Sequence, residues 1–323
     1  MSVKPKALRF ERVRKFGKIM GDTRKFVREN FVVFFKTILF HVGPFALLTC
    51  TLHVFYQVNM MDRSETLGFN RMGSFLAASV IYTQIRWALN GFITAIVVSH
   101  FVKVYREKGA GNFEANDVTK SLIRDFGGSL LAFFIMFVGV ALISTILGVI
   151  IFGMAEVSWG TAILLIFAGW LGYVLIRFPF WYFVFSVFIA RTSEQKNLNV
   201  FEGMSLSAKV FSGNWWSTWV IFFLMWLILY IIGTAVSLPA QIAAMVMKMV
   251  YYNFDDQTDN WKLIQTVLLS LGELMKTLID AVCMITIALQ FYNLKEKNDG
   301  QGTAELVNTI GTKEDDETAE YTY

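Results

Sequence analysis

Three uncharged stretches limit what this chain can fold into. Thr37–Met61, Phe126–Ala155 and Val210–Met247 hold 25, 30 and 38 residues without one Asp, Glu, Lys or Arg, and about 20 apolar residues suffice to cross the hydrocarbon core of a bilayer. A water-soluble domain of this size needs more charge than that to coat its surface. Only 17% of the 323 residues are charged and 55% are apolar, against roughly 25% charged in ordinary soluble domains. The expectation is an all-α, polytopic membrane protein.

Hydropathy places six transmembrane helices at about Phe31–Tyr56, Leu76–Val102, Ser129–Gly153, Thr161–Ala190, Trp215–Ser237 and Leu263–Tyr292. The expected organisation is a basic amphipathic segment over 1–30, a transmembrane domain over 31–292, and an acidic, disordered tail over 293–323. No secretory leader pattern is visible, since the first long apolar run begins near Phe31 and exceeds a leader's apolar core.

Basic residues orient the spans, because cytoplasmic loops retain Lys and Arg. Of the 29, the amino-terminal segment carries 10, the loop after span two 5, the loop after span four 3 and the carboxyl tail 3. Arg63, Arg71, Lys248 and Lys262 fall on the opposite side, and Lys36, Arg86, Arg177 and Lys276 lie within spans. Both termini are therefore expected in the cytoplasm.

A charged amphipathic stretch precedes spans one, three and five, at Lys25–Phe31, Ser121–Ser129 and Ser207–Trp215. Each is read as an interfacial helix that breaks before the membrane, at Asn30, at Gly127–Gly128 and at Gly213–Asn214. Two readings stay open: three helix-plus-hairpin units, or the common appearance of any cytoplasmic approach to a membrane. Within Leu8–Arg28, Val13, Phe16 and Met20 recur at helical spacing among basic residues, as suits a helix on an anionic leaflet.

Ionisable groups inside hydrocarbon must meet a partner, a cavity or water. Span two carries Thr83, Arg86, Asn90 and Thr94 on one helical face, and span six carries Glu273, Lys276 and Asp280 with Ser270 and Thr277 beside them. Arg177 precedes Pro179 in span four, where the missing amide can kink the helix. Counted from the outer ends, Arg86 and Glu273 lie about 15 Å deep and Arg177 and Asp280 about 24–26 Å deep, which predicts the pairs Arg86–Glu273 and Arg177–Asp280. Such a cluster can fix helix packing, hold an anion such as a lipid phosphate, or relay protons or ions.

The inventory for catalysis is thin. His41, His53 and His100 stand apart from any metal-ligand or nucleophile spacing, no phosphate-cradling glycine loop occurs, and Cys50 and Cys283 both sit in apolar runs. No catalytic residue, metal or cofactor is expected, and the basic excess lies beside a span rather than beside base-stacking aromatics, which argues against nucleic acid. Trp215 and Trp216 fit the aromatic belt at a membrane boundary. Gly91, Gly139, Gly148, Gly169 and Gly172 are candidates for close helix approach.

The segment Arg177–Trp216, RFPFWYFVFSVFIARTSEQKNLNVFEGMSLSAKVFSGNWW, resembles the membrane domain attached to some bacterial glycerophosphodiester phosphodiesterases and the related stand-alone six-span membrane proteins of bacteria. Arg177, Pro179, Glu202, Gly203, Ala208 and Gly213 fall on the pattern, and either Ser205 or Ser207 stands for its serine. The likeness implies a multi-pass protein of the bacterial inner membrane, without the phosphodiesterase activity, since the soluble hydrolase domain has no room here. The leading functional expectation is a non-enzymatic module that binds membrane lipid, anionic phospholipid included, or scaffolds a membrane protein partner. A subunit of a secondary transporter or channel is the alternative.

Overall fold

The computed structural model describes residues 8–52, 72–154, 180–193, 198–252 and 260–300, and side chains throughout these except at 72–87, 140, 143–154, 248, 251–252, 260–263, 265–266 and 273. Ten helices and no strand occur among the described residues. They are α1 Phe16–Glu29, α2 Phe31–His41, α3 Gly43–Leu52, α4 Met72–Lys108, α5 Ala115–Arg124, α6 Phe126–Met154, α7 Phe180–Ser193, α8 Val200–Phe211, α9 Trp215–Tyr252 and α10 Asn260–Asp299.

Three helical segments are long and apolar enough to cross a membrane, Ala88–Lys108, Trp215–Met247 and Val267–Asp299, or five crossings if the bent pairs α2–α3 and α5–α6 each count as one. Of the expected span Thr161–Ala190, the described part is the amino-terminal portion of α7. The expected span Phe31–Tyr56 is not one helix. It bends by 53° between α2 and α3, beside Pro44, whose ring has no amide to donate back to the preceding turn.

Two other boundaries differ from expectation. The amino-terminal helix begins at Phe16 rather than near Leu8, because the Arg14 guanidinium binds the carbonyls of Arg9, Phe10 and Arg12 and holds that segment as a non-helical strap. Residues 293–299 belong to α10 and not to a disordered tail, since Asn293 and Leu294 are buried against the strap and α1.

α1, α5 and α8 are short amphipathic helices at one end of the bundle. The chain breaks after α1 at Asn30, whose side-chain amide donates to the carbonyl of Phe26, and after α8 at Ser212–Asn214, where Gly213 has φ of +76°. Both agree with the residues picked out in sequence. The middle break falls at Asp125, two residues before the expected glycines, and α6 leaves α5 at 74°. Gly127 and Gly128 lie inside the first turn of α6, so they do not reverse the chain.

α9 packs along α10 and α6 along α4. An aromatic core joins the inner helices: Phe92 contacts the rings of Phe133, Trp181, Phe185 and Phe188, and Phe101 those of Phe26, Phe34 and Phe113. Gly91 permits this packing, for a Cβ there would sit 2.6 Å from the Phe185 ring. Gly139 has open space around it, so the same expectation does not extend to it.

Candidate functional site

The polar stripes expected on spans two and six meet α3. Asn90, buried on α4, accepts a hydrogen bond from Thr49 at 2.8 Å, and Thr277 of α10 lies 3.8 Å from the Cys50 sulfur. Thr94 is buried and turns back to the carbonyl of Asn90. Lys276 and Asp280 are half-buried, and the Lys276 stem lies over Gly233 of α9, 3.3 Å from where a Cβ would stand. Arg177, Pro179 and the side chains of Arg86 and Glu273 lie outside the described residues, and with them both expected pairs.

A different ionic centre sits where α4, α5, α6 and α7 meet. Arg191, at the end of α7 and 2% exposed, places its Nη2 3.3 Å from both carboxylate oxygens of Asp125 and donates from Nε to the carbonyl of Leu198. The Asp125 carboxylate also accepts from the Ser129 hydroxyl at 2.9 Å and lies 3.5 Å from Nε2 of His100. His100 is fully buried, with Nδ1 2.9 Å from the Ser121 hydroxyl. One carboxylate thus joins the α5–α6 elbow to α4 and α7. Such a centre suits fixed helix geometry, because a buried ion pair is tolerated only when its remaining bonding positions are filled.

Two glycines make room for it. A Cβ on Gly128 would collide with the Arg191 guanidinium and Asp125, and one on Gly203 would sit 2.7 Å from Arg191 Cγ and 3.3 Å from the Val187 carbonyl. Sequence reasoning assigned Arg191 to a loop and so missed this centre. The available clue was an arginine directly after the apolar run that ends at Ala190, within the same stretch as the Glu202–Gly203 pair.

The pattern residues of α8 have local structural roles. Asn199 caps the helix by accepting from the Glu202 amide at 2.8 Å, while the Glu202 carboxylate accepts from the Asn199 amide at 2.9 Å. Gly203 admits Arg191, Gly213 turns the chain, and Ala208 is exposed. Of the two serines, Ser207 is the buried one, hydrogen-bonded to Ser186 of α7, while Ser205 is exposed.

The amino-terminal strap is anchored at the same end. Phe10 is buried among the rings of Phe26, Tyr105 and Tyr292, the Arg14 amide donates to Asn293, and Arg14 Nε pairs with Asp22 at 2.7 Å. Arg106 of α4 pairs with Glu11, lies over the Tyr292 ring and donates to the Ser193 carbonyl. The bundle takes the Ile19 and Phe26 face of α1, leaving Val13 on the strap and Phe16 on the helix exposed.

Outward from these contacts, the end of the bundle is basic and greasy together. Arg12, Lys15, Lys18, Arg24, Lys25 and Arg28 are exposed on the strap and α1, and among the described residues Arg12, Lys15, Arg24 and Arg28 make no ion pair. Ile123 on α5 and Phe201 on α8 are each 71% exposed, next to the exposed Arg124 and Glu202. Between α1, the start of α9 and the end of α10 an open groove of about 350 Å³ runs past Phe16, Trp216 and Lys297.

Among the described residues no cluster of His, Cys, Asp and Glu is arranged to hold a metal ion. Cys50 and Cys283 are both buried and are not joined in a disulfide. Comparison with protein families, with curated proteins and with solved structures finds no match.

Proposed function

We propose that this chain is a non-enzymatic, six-span module of the bacterial cytoplasmic membrane that binds anionic phospholipid, with both termini and the α1, α5 and α8 collar on the cytoplasmic side. The observation that carries this reading is the outer surface of the strap and α1, where six cations stand exposed while the opposite face is locked into the bundle. A polybasic surface held at a membrane boundary gains about 1 kcal/mol per Lys or Arg from an anionic leaflet.

The exposed Ile123 and Phe201 add to it. Large apolar side chains on short amphipathic helices are stable at the boundary between headgroups and acyl chains and are costly in water. The skew of Lys and Arg among the loops supports the orientation. The ion pairs Arg191–Asp125 and Arg14–Asp22 are enclosed by protein partners, as a rigid scaffold requires.

The test is native mass spectrometry of the full chain released from nanodiscs of equal phosphatidylglycerol and phosphatidylcholine. Phosphatidylglycerol is expected to be enriched on the wild type, and the enrichment is expected to vanish when Arg12, Lys15, Arg24 and Arg28 are all changed to Gln. Equal retention of the two lipids by the wild type would overturn the reading.

A further inference from the structure

We infer that the groove between α1, α9 and α10 seats one acyl chain of an anionic phospholipid, with the lipid phosphate at Lys297; this rests on the lipid-binding reading above and gives it a location. The starting observation is a contact made three times. Each collar helix meets one inner helix through a buried side-chain hydroxyl: Thr23 of α1 with Thr286 of α10, Ser121 of α5 with His100 of α4, and Ser207 of α8 with Ser186 of α7. The second and third contacts each join residues 21 apart in sequence. The three joints are built alike.

They differ in how an outer helix meets them. At the α5 joint, α2 closes in, and His41 Nε2 lies 2.9 Å from the Thr119 hydroxyl. α6 packs on α8. One turn beyond the buried Thr23–Thr286 contact, at Ile19 and Gln290, α9 stands off α1 and a groove remains.

The lining selects the occupant. Ile19, Ile221 and Leu294 form a buried apolar floor, and Phe16, Val220 and Trp216 form exposed walls, which suits a hydrocarbon chain. The polar floor is already satisfied: Asn293 donates to Gln290, and Gln290 donates to Thr218. Arg14 is spent on Asp22 and three backbone carbonyls. Lys297 is exposed, lines the groove and makes no ion pair among the described residues, so it is the cation positioned to meet a phosphate. The Trp215–Trp216 pair, with ring centroids 4.8 Å apart, marks the boundary level at which a headgroup sits.

The experiment places a photoreactive benzoylphenylalanine at Val220 of the full chain in phosphatidylglycerol–phosphatidylcholine nanodiscs. A cross-link to phosphatidylglycerol is expected; a cross-link to the chain's own residues after Gly300, or to a second copy, would overturn the proposal. Filling the groove with Val220→Trp or with Ser217→Phe, two exposed positions that accept bulk, is expected to lower phosphatidylglycerol retention about tenfold. Val236→Trp, on the exposed side of α9 outside the groove, should leave it unchanged. If both groove variants retain lipid like the wild type while the α1 charge variant does not, the groove is wrong and the lipid-binding reading stands. If the wild type shows no preference for phosphatidylglycerol, that reading itself fails.

Discussion

At the scale of single residues, Arg191 and Asp125 decide whether four helices meet. Their contact is enclosed, with Arg191 2% exposed, and removing one partner of such a pair leaves a charge with neither water nor a counter-ion. Asp125→Ala is therefore expected to cost about 3–5 kcal/mol, read as a large fall in the melting temperature of the detergent-solubilised protein. Pairing Asp125→Asn with Arg191→Met removes both charges at nearly constant volume and should recover much of that loss. A double variant as unstable as Asp125→Ala would show that the pair does not control the joint. Gly128 and Gly203 belong to the same design, since their missing side chains are the space that the arginine occupies.

At the scale of elements, the collar helices are too short to persist alone, because isolated helices under about 12–15 residues are marginal in water. α5 and α8 hold 10 and 12 residues. Local devices and docking sustain them. In α8 the reciprocal bonds between Asn199 and Glu202 satisfy amides at the first turn, and Asn199→Ala is expected to cost about 1 kcal/mol. Hydrogen exchange should show it as faster exchange at the first amides of α8, with α9 unaffected; equal acceleration in both helices would mean that the cap stabilises the whole end rather than the helix start. The elbows that follow have three different causes: an asparagine side chain at Asn30, a positive φ at Gly213, and the Asp125 network between α5 and α6.

At the scale of the whole molecule, α1, α5, α8 and the last turns of α4, α7 and α10 share one end, joined by the three hydroxyl contacts and by Arg106 and Arg14. With the Lys and Arg skew of the loops, that shared end is the cytoplasmic one in the proposed function. Small tags at Met1 and Tyr323 should then both react with a membrane-impermeant label only after the inner membrane is opened. Reaction of either tag in intact spheroplasts would reverse or break the topology. The exposed face of α9, from Val220 to Val250, is the surface such a bundle turns to lipid.

What can be read from the sequence here is whatever a solvent imposes on a linear pattern. Long uncharged runs require helices, amphipathic stretches before them require a change of direction, and Asn30 and Gly213 mark two of those changes because their own backbone or side chain makes them. The all-α class, with several helices of membrane-crossing length, follows from these. Tertiary structure alone decided which buried charge meets which: Arg191 reads as a loop residue until α8 and the Asp125 elbow enclose it, and Gly128 reads as a chain breaker until the guanidinium fills its place. The groove is likewise invisible in sequence, because it is defined by α9 keeping clear of α1, a separation between residues roughly 200 positions apart that no local pattern encodes.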